Sequence, residues 1–122
     1  KAQLLEAARA AAAANRNDAQ SQTDLGWALY GAGRLADAAE QFKRALMIDM
    51  NIVDAHYGLA LASKALNLKE PAIAAFEKVA SLATQLDDPV RGGMLRRLAH
   101  GQINEMKDGD WQLAGEIWHR EP

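Results

Sequence analysis

The chain contains no cysteine, which removes disulfides and thiolate metal centres from consideration and leaves the redox compartment open. Aromatic residues make up only 6% of its 122 residues, and hydrophobic residues 49% with alanine prominent. That balance suits closely packed helices better than sheets. An excess of either charge is lacking: 14 Lys and Arg stand against 16 Asp and Glu, for a net charge of -2 and a pI of about 5.9. A chain dedicated to nucleic acid needs a basic stripe, so nucleic acid is not expected as a partner. No run of about eighteen apolar residues occurs, so no membrane insertion is predicted for this segment. No signal peptide is visible. The first residue is Lys1, which reads as a trimmed or processed start. A cytoplasmic setting is favoured, with a periplasmic or membrane-anchored one left open.

What the sequence does have is helical periodicity. Residues 2–14 place Leu4, Leu5, Ala8 and Ala11 at helical spacing, and Asn15-Arg16-Asn17-Asp18 ends the run. Helices are then predicted over 19–32, 35–48, 53–66 and 70–84. Gly31-Ala32-Gly33 supplies a left-handed stop after the first of these, and Pro71 sits in a first turn, where a missing N–H costs little. Asp87-Asp88-Pro89 starts a longer helix that runs to about Lys107, with Gly92-Gly93 read as loosening its start. Asp108-Gly109-Asp110 makes a turn, and residues 111–119 form a last short helix. The total is about seven helices and no strand.

Two of these hairpins repeat each other at an offset of 34 residues. Leu25-Gly26 aligns with Leu59-Ala60, Gly33 with Asn67, Ala38 with Ala72, Phe42 with Phe76, and Ala45 with Val79. A fixed period of this length marks stacked helical hairpins, each burying its apolar face on the next. The pattern resembles the tetratricopeptide repeat. That family asks for Leu-Gly in the first helix, a small residue at the turn, and Ala and an aromatic four apart in the second helix. Small residues are needed where the helices of a hairpin touch, and an aromatic where one hairpin wedges into the next.

The resemblance implies an all-α, right-handed superhelix of antiparallel hairpins, an α-solenoid forming one domain over 1–122. Residues 1–18 form an N-terminal helix, read as half of a preceding repeat. Residues 19–52 and 53–86 are the two clear repeats, and 87–122 a divergent third. In that third unit Ala114 and Trp118 keep the Ala-aromatic spacing, but Trp118 falls 42 residues after Phe76, so about eight residues are inserted. Gly101, Gln102 and Glu105 stand where the family buries apolar residues, and the apolar stripe is instead Leu95, Ala99, Ile103 and Met106. Met50 and Thr84 replace the proline that commonly ends a repeat.

The helix over 19–32 has two apolar stripes. Leu25, Leu29 and Ala32 form one; Thr23, Trp27 and Tyr30 form the other, about 200° away. The next first-helix repeats this with Tyr57, Leu61 and Lys64. The resemblance implies that this second stripe lines the concave groove where the family binds protein segments. Thr23, Trp27, Tyr30, Tyr57, Leu61, Lys64, Arg96 and Ile103 are therefore the candidate partner-binding residues. The alternative is that Trp27 and Tyr57 pack against neighbouring helices. A branch of the family grips C-terminal carboxylates with Lys and Asn on these positions. Thr23, Trp27, Tyr57 and Leu61 stand there instead, which argues against binding of chaperone tails and for an apolar peptide or helix. Arg91, Arg96, Arg97, His100 and Lys107 gather on the later helix. They are either a solvated face or a rim suited to acidic residues flanking an apolar core.

No catalytic pattern emerges. His56, His100 and His119 show no metal-ligand spacing, and Glu116 with His119 is a common surface pair. No metal, cofactor or enzymatic activity is expected. The expected function is protein-protein interaction of the adaptor, co-chaperone or assembly-factor type. The rival is self-association into a homo-oligomer through exposed apolar repeat faces, including Trp111 and Trp118.

Overall fold

A computed structural model describes residues 2–108 of the chain. Six α-helices lie among the described residues: α1 (Ala2–Ala14), α2 (Ala19–Gly31), α3 (Leu35–Ile48), α4 (Val53–Ala65), α5 (Lys69–Ala83) and α6 (Pro89–Asp108). They match the first six predicted helices to within two residues at each end. The turn at Asp108-Gly109-Asp110, the seventh helix, and Trp111, Ala114, Glu116, Trp118 and His119 lie outside the described residues.

Local chemistry sets the boundaries. Asp18 caps α2 from an extended backbone conformation, accepting the Ser21 N–H at 3.1 Å and the Ser21 hydroxyl at 2.6 Å. These bonds, the hydroxyl's first, hold the Asp18 carboxyl below its ordinary range. The α2–α3 and α4–α5 turns are the same turn twice. Gly33 has φ 81° and its repeat partner Asn67 has φ 64°, the left-handed region that Gly and Asn enter most readily. In each, the following residue closes the turn with a 2.9 Å bond, Arg34 N–H to the Leu29 carbonyl and Leu68 N–H to the Ser63 carbonyl. At the end of α3, where the sequence offers Met50 in place of proline, Asp49 takes over. Its side chain accepts the Asn51 N–H at 3.0 Å.

Each helix packs on the next, and α2 also touches α4. The core divides around two phenylalanines. Phe42 lies with Leu25, Leu29, Ala38 and Ala45; Phe76 lies with Ala60, Ala72, Val79, Ala99 and Ile103. Both rings are fully buried. The Phe42 ring occupies the space left by two missing side chains. A Cβ on Gly26 would come within 2.6 Å of it, and one on Gly58 within 2.3 Å. This is the wedge that the repeated aromatic position predicts, and Leu59, half-buried, packs against both clusters.

Two polar side chains stand inside this apolar stack. Gln22 and Gln41 are buried, and the Gln41 amide N–H donates to the Gln22 carbonyl oxygen. The Gln22 amide N–H group is thereby aimed at the end of α1, where it meets the carbonyls of Ala12 at 3.1 Å and Asn15 at 3.2 Å. Helix ends leave such carbonyls without partners, so Gln22 both satisfies them and ties α1 to α2. Gln22→Ala would strand the Gln41 amide and loosen α1. A loss of about 1–2 kcal/mol is expected by urea denaturation, with amide exchange quickened first in α1.

The structure corrects one local expectation. Gly92 does not loosen the start of α6. It is buried within the helix, where a Cβ would lie 2.5 Å from the Ala83 carbonyl oxygen. The glycine lets α6 come close to the end of α5.

Candidate functional site

The second stripe of α2 and its counterpart on α4 form one surface. Trp27, Tyr30, Tyr57, Leu61 and Lys64 are all half-buried. Each large ring has one side in the core. Trp27 meets Phe42 edge-on with ring centres 5.1 Å apart, and Tyr57 meets Phe76 edge-on at 6.0 Å. Tyr30 stands against Trp27 at 5.9 Å and packs at the margin of the Phe42 cluster. The two alternatives for Trp27 and Tyr57 therefore both hold in part: the rings pack on the hairpin cores and keep a remaining surface open.

A contact across the repeats fixes this arrangement. The Trp27 indole N–H donates to the Asp54 carboxylate at 3.1 Å. Asp54 lies in the first turn of α4, so the bond joins consecutive first helices and orients the indole. The other end of the surface is polar. Lys64 pairs with Glu105 at 2.9 Å and also donates to the side-chain carbonyl of Gln102. Both side chains of this ion pair are partly solvated, so it contributes less to stability than to position. It neutralises the lysine within the surface.

Three of the predicted binding residues are placed elsewhere. Thr23 is fully buried, its hydroxyl donating to the Ala19 carbonyl at 2.8 Å. A threonine in a helix can turn its hydroxyl back on its own backbone and present only a methyl to its neighbours. Ile103 is buried in the Phe76 cluster, where the stripe Leu95, Ala99, Ile103 and Met106 packs. Arg96 is seven residues before Ile103, about 20° from it around the helix. It therefore shares the Ile103 side of α6 and not that of Gln102 and Glu105. The residues of this helix that face Lys64 are Gln102 and Glu105, which depart from the apolar pattern. Their polarity suits a surface facing Lys64.

The described residues contain no group of three His, Cys, Asp or Glu side chains placed to hold a metal ion. His56 Nε2 lies 2.8 Å from the Met50 carbonyl oxygen, which ties it to the α3–α4 turn. No helix among the described residues is long and apolar enough to cross a membrane.

Residues 53–85, which span α4 and α5, match the tetratricopeptide repeat family. That segment thus reads as a repeat of the family, and the all-helical architecture of the described residues is consistent with a helical repeat protein. Repeats of this kind generally mediate protein-protein interaction and serve as scaffolds, typically without catalysis. No curated protein matches the chain.

Proposed function

We propose that the chain is a non-enzymatic interaction module of the adaptor or assembly-factor type. Its site is the groove along α2, α4 and α6, and its ligand an apolar peptide or helix of a partner protein. The single domain would comprise repeats at 19–52, 53–86 and 87–122 behind the N-terminal helix. The observation that carries this reading is the row of half-buried side chains Trp27, Tyr30, Tyr57 and Leu61, which pack on the hairpin cores and leave part of their surface open. Rings anchored in this way offer apolar area with little rotamer freedom left to lose on binding. Asp54, Gln102 and Glu105 add fixed polar groups that favour ligands with donors at matching positions.

The test should avoid Trp27 and Tyr57, whose truncation would also open the core. Tyr30 and Leu61 sit half-buried at the margins of the two core clusters, so their truncation removes less of the core than loss of a ring that meets a phenylalanine edge-on. Tyr30→Ala with Leu61→Ser is expected to keep the helical content and thermal midpoint close to those of the parent. A partner captured from native lysate by the parent should be weakened by at least about tenfold. Met50→Ser, on an exposed turn, should retain that partner. A partner held equally by all three proteins would place binding away from the groove.

A further inference from the structure

A second concave surface lies on the other side of α2. A crevice of about 500 Å³ opens between α1, α2 and α3, with Arg9, Arg16 and Arg44 at its walls. Its floor includes Gln22, Gln41 and Leu25, and Met47 and Ile48 stand at its rim. Leu25 and Trp27 are two residues apart, about 200° around the helix, so this crevice and the groove face nearly opposite ways. We propose that it is a docking site for an acidic segment of a partner protein, one that carries carboxylates beside an apolar side chain.

The charge of the walls is the first argument. The three guanidinium groups come from α1, the α1–α2 turn and α3, and no Asp or Glu lines the crevice. None of the three has an ion pair among the described residues, whereas Arg34 nearby pairs with Asp37 at 2.8 Å. Like charges gathered around a hollow repel one another, and a carboxylate placed between them relieves that repulsion. The chain as a whole has a net charge of -2, so this concentration of positive charge is local. Guanidinium forks bind carboxylates through two parallel bonds, which gives direction as well as attraction.

The rim supplies the second argument. Met47 is 86% exposed and Ile48 41% exposed, and both border the crevice. A simple inorganic anion would leave that apolar surface wet, while a leucine or phenylalanine next to a carboxylate would cover it. A smaller hollow of about 250 Å³ continues the crevice along α3, sharing Arg9 and Arg44 and adding Arg34, Asp37 and Glu40. The acidic pair at that end would repel carboxylates. A bound segment is therefore oriented with its acidic residues toward Arg16 and its neutral or basic residues toward Glu40.

The full chain can be titrated with a labelled peptide alternating Glu-Glu with Leu, beside the same peptide with Gln for every Glu. Saturable binding of the acidic peptide is expected. It should weaken by at least about tenfold for the Gln peptide and for the Arg9→Gln/Arg44→Gln variant, and more gently with rising salt. All these side chains are exposed, so the variant should keep its thermal midpoint. Arg91→Gln/Arg97→Gln removes the same charge from α6 and should bind the peptide as the parent does. Absence of saturable binding would overturn the proposal. So would equal weakening by the α6 variant, which would mean attraction by net charge alone. Displacement of the peptide by inorganic phosphate at equal concentration would reduce the site to one for free anions.

Discussion

Gly58→Ala is expected to destabilise this protein, although alanine is the better helix former by about 1 kcal/mol. The added methyl would enter the Phe42 ring, with three ring carbons within 2.7 Å of the new Cβ. The ring has little room to retreat. It is fully buried, and Gly26 also stands close against it, since a Cβ there would fall 2.6 Å away. Overpacking of this kind costs about 1–3 kcal/mol, and here two helices must separate to relieve it. A net loss of about 2 kcal/mol is expected, and Phe42→Ala alone should cost about 3–5 kcal/mol by leaving the gap unfilled. The pair should be strongly non-additive. Gly58→Ala combined with Phe42→Ala places a methyl where ring atoms have been removed, and should be more stable than the two single losses predict. Urea denaturation of the four proteins closes that cycle. A stabilising Gly58→Ala would mean that α2 and α4 sit farther apart than the wedge requires.

Such a wedge explains why much of the fold could be read from the sequence. The repeated positions are ones where packing admits few residue types. Phe42, Phe76, Ala38 and Ala72 are all fully buried, and Gly33 and Asn67 both take the left-handed turn conformation. What the repeat did not reveal is which residue faces the wedge from the neighbouring hairpin. Gly58 lies two positions before the small residue that aligns with Gly26, so a one-repeat pattern passes over it.

Of the proposed groove, only the apolar part was legible in the sequence. Trp27, Tyr30, Tyr57 and Leu61 follow from helical spacing, but spacing gives direction around a helix and not depth. Thr23 has the right direction and is buried, because its hydroxyl needs no solvent once it has bonded to the Ala19 carbonyl. Asp54 has no local signal at all, since its partner Trp27 is 27 residues away and meets it only when the hairpins stack. Gln22 and Gln41 did carry a signal. Gln22 stands in line with Leu25 and Leu29, and Gln41 between Ala38 and Ala45, so each is a polar residue near a core stripe that needs a buried partner. On α6 the polar Gln102 and Glu105 hid which side faces Lys64, while its apolar stripe was the face that packs on α5.

That placement of α6 yields the other large effect, because two adjacent glycines in one helix are expected to respond with opposite signs. At Gly92 a Cβ would lie 2.5 Å from the Ala83 carbonyl oxygen. This oxygen is backbone and is held in place by accepting the Leu86 N–H at 3.3 Å, so no side-chain rotation relieves the collision. Gly92→Ala should therefore cost about 1–2 kcal/mol after the gain in helix propensity is counted. At Gly93 the nearest neighbour is the flexible end of Arg97 at 3.6 Å, an ordinary contact. Gly93→Ala should stabilise by up to about 1 kcal/mol, through reduced freedom of the unfolded chain. Both variants change one hydrogen to a methyl in the same turn, so local helix propensity cancels between them and the difference reports tertiary packing. Thermal and urea unfolding of the two proteins side by side measure that difference. Equal effects would mean that the start of α6 does not rest on the end of α5. The position of Gln102 and Glu105 beside Lys64 would then lose its support, since α5 is the surface against which α6 is set.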